Sequence, residues 1–316
     1  MINLDDLMKQ VKGAEEDVGP VLLPPTMDFV FKGLFGNEKR PELLISFLNA
    51  VLTPDEPITS ITFKDRTIDK QYKDDKMGTL DILATTNKGE LINVEVQVAD
   101  EKNMIERSLY YWSRLFSGQL HSGNPYQKLE RTVCINLLSF DLLETTEYHS
   151  CYVLKERERN EQLSDLLEIH FIELDKIKDI QDAGEIKTQL EAWLEFIKHP
   201  ESQVSYELAH QHETIREAKD ELLVLSCNEK YRLYYEARLK ALLDETSRLQ
   251  TARDEGLEQG IQQGIQQGLE QGKMQRDLEI AKNLLDILDD ETIAFKTGLP
   301  VPTVRQIRED ANKLKK

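Results

Sequence analysis

Three polar residues on two neighbouring strand-like segments have the types and spacing to hold a metal ion and an attacking water. Asp81 lies in GTLDILATT, and Glu95 and Gln97 lie in ELINVEVQVA. Alternate side chains of a strand share a face, so Glu95 and Gln97 are expected to point the same way. The NKG sequence between the segments is typical of a hairpin turn, which brings Asp81 across from Glu95.

The juxtaposition of Asp81 and Glu95 predicts a site for a divalent cation. Two carboxylates directly opposite each other on a sheet repel, and a bound cation removes that repulsion. Magnesium prefers oxygen ligands and usually takes one or two carboxylates, with water and substrate phosphate completing its shell. Such an ion polarises a phosphoryl group and generates a hydroxide nucleophile. The alternative interpretation is that Asp81, Glu95 and Gln97 are solvent-facing residues of an ordinary half-exposed strand.

The segments around the hairpin predict an α/β fold with a mixed central sheet flanked by helices. Apolar residues at helical spacing predict one or two helices over 27–52, interrupted near 36–41. A further helix is expected in MIERSLYYWSRLFSGQL, and a buried strand in RTVCINLLSF. The elements therefore follow the order α-β-β-β-α-β. The first strand of this order is predicted in SITFKD, and further strands are predicted in CYVLKE and EIHFIEL.

Four segments between residues 27 and 140 carry a family pattern: MDFVFKGLFGNEKRPELLISFLNAVL, DKMGTLDILATTNKGELINVEVQ, ERSLYYWSRLFSGQL and YQKLERTVCINLLSF. Together they resemble the PD-(D/E)XK nuclease superfamily, and within it the recombination-promoting nuclease (Rpn) family of transposase-like proteins. The resemblance implies an αβββαβ restriction-endonuclease-like core. It also implies an Asp on the second strand and Glu-x-Gln or Glu-x-Lys on the third, and it assigns these positions to Asp81, Glu95 and Gln97.

The resemblance implies a role for each of these residues and for one more acidic residue. Asp81 and Glu95 would hold Mg²⁺ or Mn²⁺, and Gln97 would position the attacking water. Asp28, in MDFVFK, matches the extra acidic residue that many superfamily members place on the first core helix. On sequence grounds alone, Asp28 is equally well explained as an N-terminal helix cap.

Gln97 stands where the superfamily usually has a lysine. A lysine adds a positive charge that orients the water and stabilises developing negative charge, whereas glutamine contributes only hydrogen bonds. Lys76, five residues before Asp81, is the best candidate for a compensating cation, and Lys32 and Arg107 are the others. Lys32 and Arg107 are also candidates for contact with a substrate phosphate. For Arg107, a solvated surface position is the alternative.

The composition is that of a globular protein with 316 residues, of which 40% are hydrophobic and 31% charged. No apolar run approaches the ~18–20 residues that a membrane span needs, and the first twenty residues lack the apolar core of a secretory signal. Three widely separated cysteines argue against a disulfide framework and against a cysteine-based zinc site, and they fit a reducing cytosol. His121 and His149 lack metal-ligand spacing and receive no role.

The net charge of −18 does not exclude a nucleic-acid substrate, because most of it lies in the C-terminal half. Residues 21–140 hold 14 Lys+Arg against 16 Asp+Glu, whereas residues 141–316 hold 24 against 37. The segment that carries the candidate site is therefore nearly neutral, and a metal site needs carboxylates of its own.

The chain is predicted to end in an α-helical portion that includes a glycine repeat. Glycines recur every four residues from Gly256 to Gly272. Each costs a helix about 0.8–1 kcal/mol against alanine, so we expect a helix that is only marginally stable alone. The predicted organisation is an acidic leader at 1–23, a nuclease-like core at 24–175, a helical extension at 176–253, a Gly-repeat helix or linker at 254–275, and a small helical module at 276–316.

The last segment has a pattern similar to a helix-turn-helix, with Gly298 at the turn. One interpretation is DNA targeting through Thr303, Arg305 and Arg308. Residues 276–316 hold 8 Lys+Arg against 8 Asp+Glu, so no basic footprint supports DNA binding. The favoured interpretation is a small three-helix packing module.

These observations predict a cytoplasmic, Mg²⁺-dependent DNA endonuclease that is not bound to a membrane. The link to recombination or transposition comes from the resemblance alone. Cutting of both DNA strands would favour a homodimer. The main alternative is a catalytically weak or inactive nuclease-fold protein that binds nucleic acid or protein, for which Gln97 and the acidic C-terminal half are the best support. An RNase is a third interpretation.

Overall fold

The computed structural model describes residues 21–65, 67–68 and 78–314, and a six-stranded sheet forms its centre. The strands in chain order are β1 (Ile61–Phe63), β2 (Thr67–Ile68), β3 (Gly78–Thr79), β4 (Ile82–Thr86), β5 (Leu91–Gln97), β6 (Thr132–Leu138), β7 (His149–Tyr152) and β8 (Leu167–Glu173). The order across the central sheet is β1-β4-β5-β6-β8-β7, and β2 pairs with β3 in a separate ribbon.

The central sheet is mixed. β4 runs antiparallel to both of its neighbours, β1 and β5. β5, β6 and β8 are parallel, and β7 closes the far edge antiparallel to β8. All seven side chains of β6 are buried, as expected for a strand covered on both faces. The single strand predicted in GTLDILATT is wrong in one respect, because the chain bends at Leu80–Asp81 and separates β3 from β4.

Helices cover the sheet and make up most of the C-terminal half. They are α1 (Asp28–Phe35), α2 (Pro41–Leu52), α3 (Met104–Gly118), α4 (Gln189–Lys198), α5 (Gln203–Gln211), α6 (Glu213–Cys227), α7 (Glu229–Leu284), α8 (Asp290–Thr297) and α9 (Val301–Leu314), with 3₁₀ turns at Tyr126–Lys128, Leu174–Lys176 and Ala183–Glu185. The predicted α/β fold, with its αβββαβ order and helical C-terminal portion, is confirmed. Among the described residues, no helix is both long enough and apolar enough to cross a membrane.

An aromatic cluster fixes α1 and α2 against α4. The ring centroids of Phe35 and Trp193 lie 5.3 Å apart, and Phe47 lies 5.3 Å from Phe35. The indole nitrogen of Trp193 donates a hydrogen bond to Ser46 Oγ at 3.1 Å. Burial of these large rings stabilises this layer and holds α1, which carries two candidate site residues, against α2 and α4.

The chain divides into two compact units, residues 1–238 and 239–316. The glycine repeat lies within α7 and is helical throughout. Apart from the neighbouring backbone of α7 itself, a Cβ atom added at any glycine from Gly256 to Gly272 would meet no atom within 4 Å in the described part of the chain. The glycines therefore make no close helix contact there, and the marginal stability of this helix stays a prediction.

The end of the second unit packs around a small apolar core. Val304 is fully buried against Ile293 and Ala294, and Gly298 ends α8 with a φ of 76°. Arg308 Nε donates a hydrogen bond to Asp290 Oδ1 at 2.7 Å. Its Nη2 donates to the backbone oxygen of Leu288 at 2.8 Å. Arg308 is thus engaged in internal contacts, which favours the packing module over DNA targeting through this residue.

Candidate active site

Asp81 and Glu95 meet where the β4–β5 hairpin begins. Ile82, the first residue of β4, pairs with Val94 in the antiparallel register. Asp81, the residue before it, therefore lies opposite Glu95. The backbone N–H of Asp81 donates a hydrogen bond to Glu95 Oε1 at 3.2 Å. Asp81 Oδ2 accepts one from the backbone N–H of Val96 at 2.9 Å. Both acidic residues are buried, with exposed fractions of 5% and 1%.

Among the described residues, each carboxylate is contacted by a cationic side chain from a flanking helix. Lys32 Nζ, on α1, lies 2.8 Å from Asp81 Oδ1. Arg107 Nη2, on α3, lies 3.5 Å from Glu95 Oε2. Arg107 also lies over the ring of Tyr111, with 5.3 Å from the guanidinium carbon to the ring centroid. The alternative of a solvated surface position is therefore wrong for Arg107.

The two carboxylates are electrostatically unfavourable neighbours. Burial and, secondly, the charge of Asp81 raise the pKa of Glu95 from its usual value to about 7. The Asp81 N–H and the Arg107 guanidinium act in the opposite direction and offset only part of this rise. Desolvation and a like charge both disfavour an ionised carboxylate. A divalent cation between the two groups would reverse this balance.

Gln97 is the last residue of β5 and shares the face of Glu95, two residues away. Its side chain is half-buried, and no hydrogen bond holds its carboxamide within the described part of the chain. Its backbone oxygen accepts a hydrogen bond from the N–H of Ser139 at 3.0 Å, which fixes the end of β5. The carboxamide is thus placed beside the carboxylate pair with its donors and acceptor available.

Asp28 is the first residue of α1 and lies one helical turn before Lys32, on the same face. The capping position belongs to Met27, and no side chain caps this helix, so the N-cap explanation of Asp28 is wrong. Among the described residues, no hydrogen bond or ion pair engages the Asp28 carboxylate. The structure thus places Asp28 next to the lysine that contacts Asp81. Lys76, the other candidate cation, lies outside the described residues.

The donor set fits a hard divalent cation. Two carboxylates converge from adjacent strands, and carboxylate oxygens are what Mg²⁺ and Mn²⁺ prefer. On the same face of β5, Asn93 Oδ1 is buried and accepts no hydrogen bond within the described chain. A buried amide oxygen without a partner is unfavourable, and a water in the shell of a cation would satisfy it.

The sequence suggested Lys32 as a compensating cation behind Lys76, and the structure places Lys32 against Asp81. The contact of Lys32 with Asp81 depends on how α1 packs on the sheet, and no local pattern specifies that packing. The available signal was the spacing of Asp28 and Lys32, which places both on one face of α1.

Comparison with known families identifies the chain. The profile of the family described as PD-(D/E)XK nuclease family transposase matches residues 25–252. This match covers more than half of the chain, including the whole sheet and both carboxylates. No curated protein and no solved structure is significantly similar to the chain. With its mixed sheet and paired acidic residues, the chain belongs to the PD-(D/E)XK nuclease family transposases.

Proposed function

We propose that this protein is a metal-dependent DNA endonuclease that hydrolyses phosphodiester bonds during recombination or transposition. The observation that carries the proposal is the convergence of Asp81 and Glu95, two buried carboxylates, at one end of the β4–β5 hairpin. Family membership supports a nuclease or transposition-related function. A DNA substrate fits a cytoplasmic location, and cutting of both strands would favour a homodimer.

Asp81 and Glu95 are the proposed ligands of Mg²⁺ or Mn²⁺. When bound, such an ion polarises the phosphodiester and lowers the pKa of an attacking water. Asp81 is held by the backbone N–H of Val96 and Glu95 by that of Asp81, so both carboxylates are oriented before any ion binds. Fixed ligands keep the substrate phosphate in one geometry, which favours in-line attack.

We propose that Gln97 and Lys32 together perform the role of the lysine that the superfamily usually has at the position of Gln97. The Gln97 carboxamide would orient the attacking water by hydrogen bonds. The Lys32 ammonium would supply the positive charge, because it already lies against Asp81. When the Asp81 carboxylate binds a metal cation, the Asp28 carboxylate, one helical turn from Lys32, would hold the Lys32 ammonium in place.

Arg107 is the proposed phosphate contact. Its Nε is buried and has no hydrogen-bond acceptor within the described chain, while its Nη2 contacts Glu95. A buried donor without a partner is unfavourable. A phosphate oxygen of the substrate would satisfy it with a charge-assisted hydrogen bond. This would also place the phosphate beside the carboxylate pair.

Incubation of the purified protein with supercoiled plasmid tests the proposal. We expect nicked or linear DNA with Mg²⁺ or Mn²⁺ and intact plasmid with EDTA. RNA of comparable length, in parallel, tests the RNase alternative. Plasmid that is bound but never cut, with either ion, would contradict the proposal and favour an inactive nuclease-fold protein that acts by binding.

A further inference from the structure

A second cluster of ligand-type side chains lies at the β7 edge of the sheet. His149 and Cys151 are two residues apart on β7, and Glu168 and His170 are two residues apart on β8. Cys151 pairs with His170 in the antiparallel register. Residues two apart on a strand, and residues directly opposite on neighbouring strands, share a face. The four side chains are therefore gathered on one face of the edge.

Three of these side chains have the separations of a metal-ligand set. Cys151 Sγ lies 3.2 Å from Glu168 Oε1 and 3.8 Å from His170 Nε2. His170 Nε2 lies 3.5 Å from Glu168 Oε1. Tetrahedral zinc with its usual bond lengths separates sulfur, nitrogen and oxygen ligands by about 3.3–3.6 Å. Shifts of a few tenths of an ångström would thus bring all three atoms into coordinating positions.

His149 orients the ring that would bind the metal. Its Nε2 lies 2.8 Å from His170 Nδ1, and the two rings are stacked with their centroids 5.1 Å apart. If His170 Nε2 binds a cation, Nδ1 carries the ring proton and donates it in a hydrogen bond to His149 Nε2. Metal-binding histidines regularly donate their second ring N–H to a hydrogen-bond acceptor, which fixes the tautomer.

Arg131 orients the carboxylate. Its Nη2 contacts Glu168 Oε2, and its Nη1 lies 2.7 Å from Glu90 Oε1. This arrangement holds one oxygen of Glu168 and leaves Oε1 on the side of Cys151 and His170. His170 and Glu168 are thus each oriented by a neighbour that is not itself a ligand, as outer-shell residues orient the ligands of known metal sites.

The cluster is separate from the carboxylate pair of the candidate active site. Glu95 is in register with Asn136 on β6, which is in register with Phe171 on β8. Paired residues share a face, so Glu168 and His170, which lie three residues and one residue before Phe171 on β8, point to the opposite face of the sheet. A cation here would act independently of the proposed nuclease chemistry.

We propose that Cys151, Glu168 and His170 bind a thiophilic divalent transition metal, with Zn²⁺ as the best fit. Thiolate and imidazole ligands select such metals over Mg²⁺. Cys151 is exposed, so water or a further ligand can take the fourth position. Its thiol now donates a hydrogen bond to Glu168 Oε1, and coordination would release that proton to solvent. The ion would tie the short edge strand β7 to β8.

The spacing of the cysteines in the chain gave no sign of this site, since a single cysteine contributes. The available signal was the pair of alternating motifs His-x-Cys and Glu-x-His. Glu-x-His lies in the predicted strand EIHFIEL, whereas only Cys151 of His-x-Cys lies in the predicted strand CYVLKE, because the observed strand begins two residues earlier, at His149. Their register brings the motifs together across 17 residues of sequence.

Cobalt binding to the full-length protein tests the proposal. After chelator treatment, Co²⁺ is added in the presence of excess Mg²⁺, which occupies hard-oxygen sites. We expect one equivalent of Co²⁺ with a sulfur-to-cobalt charge-transfer band, displaced by Zn²⁺. Cys151→Ser should abolish the band, and Cys227→Ser, which removes another exposed thiol, should keep it. His149→Ala should keep the band and weaken binding about 10–100-fold.

Thiol protection in the wild-type protein gives an answer that does not depend on the folding of a variant. Zn²⁺ should slow alkylation of Cys151 by iodoacetamide and leave alkylation of Cys227 unchanged, as measured by mass spectrometry of peptides. Absence of the charge-transfer band in the wild type, its persistence in folded Cys151→Ser, or equal alkylation of Cys151 with and without Zn²⁺ would overturn the proposal. None of these outcomes depends on nuclease activity.

Discussion

Lys32 Nζ lies 2.8 Å from Asp81 Oδ1, so the first helix delivers a positive charge directly onto a candidate metal ligand. In the superfamily, the acidic metal ligand and the cationic residue usually both come from the same hairpin. Here the acidic ligand comes from the sheet, and the cation comes from α1. The relationship explains how a chain with Gln97 in place of the usual lysine still has an ammonium group at the site.

Replacement of Lys32 tests whether this ammonium acts in the reaction. We expect Lys32→Ala to lower the single-turnover cleavage rate about 10²-fold at saturating metal, the scale of losing one positioned electrostatic group. Lys39→Ala, which removes an exposed lysine just beyond α1, should retain the wild-type rate. If Lys32 only neutralises Asp81 in the metal-free protein, Lys32→Ala will unfold at lower denaturant concentration and keep the wild-type rate.

Gln97 is predicted to be a working part of the site. Gln97→Ala should lower the single-turnover rate about 10²-fold, because the attacking water loses a positioned polar group. Gln97→Lys should retain or raise activity, since it restores the residue that the superfamily usually has. Unchanged single-turnover kinetics in Gln97→Ala would remove this residue from the mechanism.

The electrostatics of Glu95 predict how the stability of the metal-free protein depends on pH. Burial and Asp81 raise the pKa of Glu95 from 4.5 to about 7, so the folded state favours its neutral form. Between about pH 4.5 and pH 7 the folded state binds more protons than the unfolded state, and the free energy of unfolding falls as the pH rises. The stability that protonated Glu95 contributes is therefore fully present below about pH 4.5 and is lost as the pH rises through about 7.

Urea unfolding in EDTA at about pH 5 and about pH 8 measures this effect. Glu95→Gln should lose less stability than the wild type between the two values. Glu106→Gln, which neutralises an exposed carboxylate on α3, should behave as the wild type does. An equal loss in Glu95→Gln and the wild type would show that Glu95 is not the group responsible.

The register of the hairpin was predictable from sequence because alternation and a tight turn are local signals. They place Asp81 opposite Glu95, and the structure has this arrangement. The contact between Lys32 and Asp81 was not predictable, because it requires the packing of α1 on the sheet. The cluster around His170 was also missed, since it depends on the register of β7 and β8.

The C-terminal half shows how local propensity and tertiary structure differ. Five glycines weaken a helix by intrinsic propensity, yet α7 is continuous from Glu229 to Leu284. For Arg308, a DNA contact was one interpretation of the sequence, and a packing module was the favoured one. In the structure Arg308 donates to Asp290 and to backbone oxygens, and no periodicity argument reveals such contacts.

A chain that ends at Arg253 should fold and keep metal-dependent cleavage. The family profile ends at residue 252, and the first compact unit ends at Arg238. We therefore propose that the repeat and the last segment modulate targeting or assembly rather than chemistry. Light scattering and a plasmid assay check this. An insoluble product, or a folded one without activity, would show that the C-terminal segments belong to the nuclease core.

The central claim is that Asp81 and Glu95 hold the cation that cleavage requires. Its most direct test is plasmid cleavage with saturating Mg²⁺ by the wild type, Asp81→Asn, Glu95→Gln and the control Glu101→Gln, which neutralises an exposed carboxylate after β5. We predict that Asp81→Asn and Glu95→Gln each abolish cleavage. Their melting temperatures, measured in EDTA, should stay the same or rise, because repulsion between the carboxylates of the metal-free site is removed. Glu101→Gln should cut at the wild-type rate. Wild-type cleavage by either folded site variant would contradict the assignment.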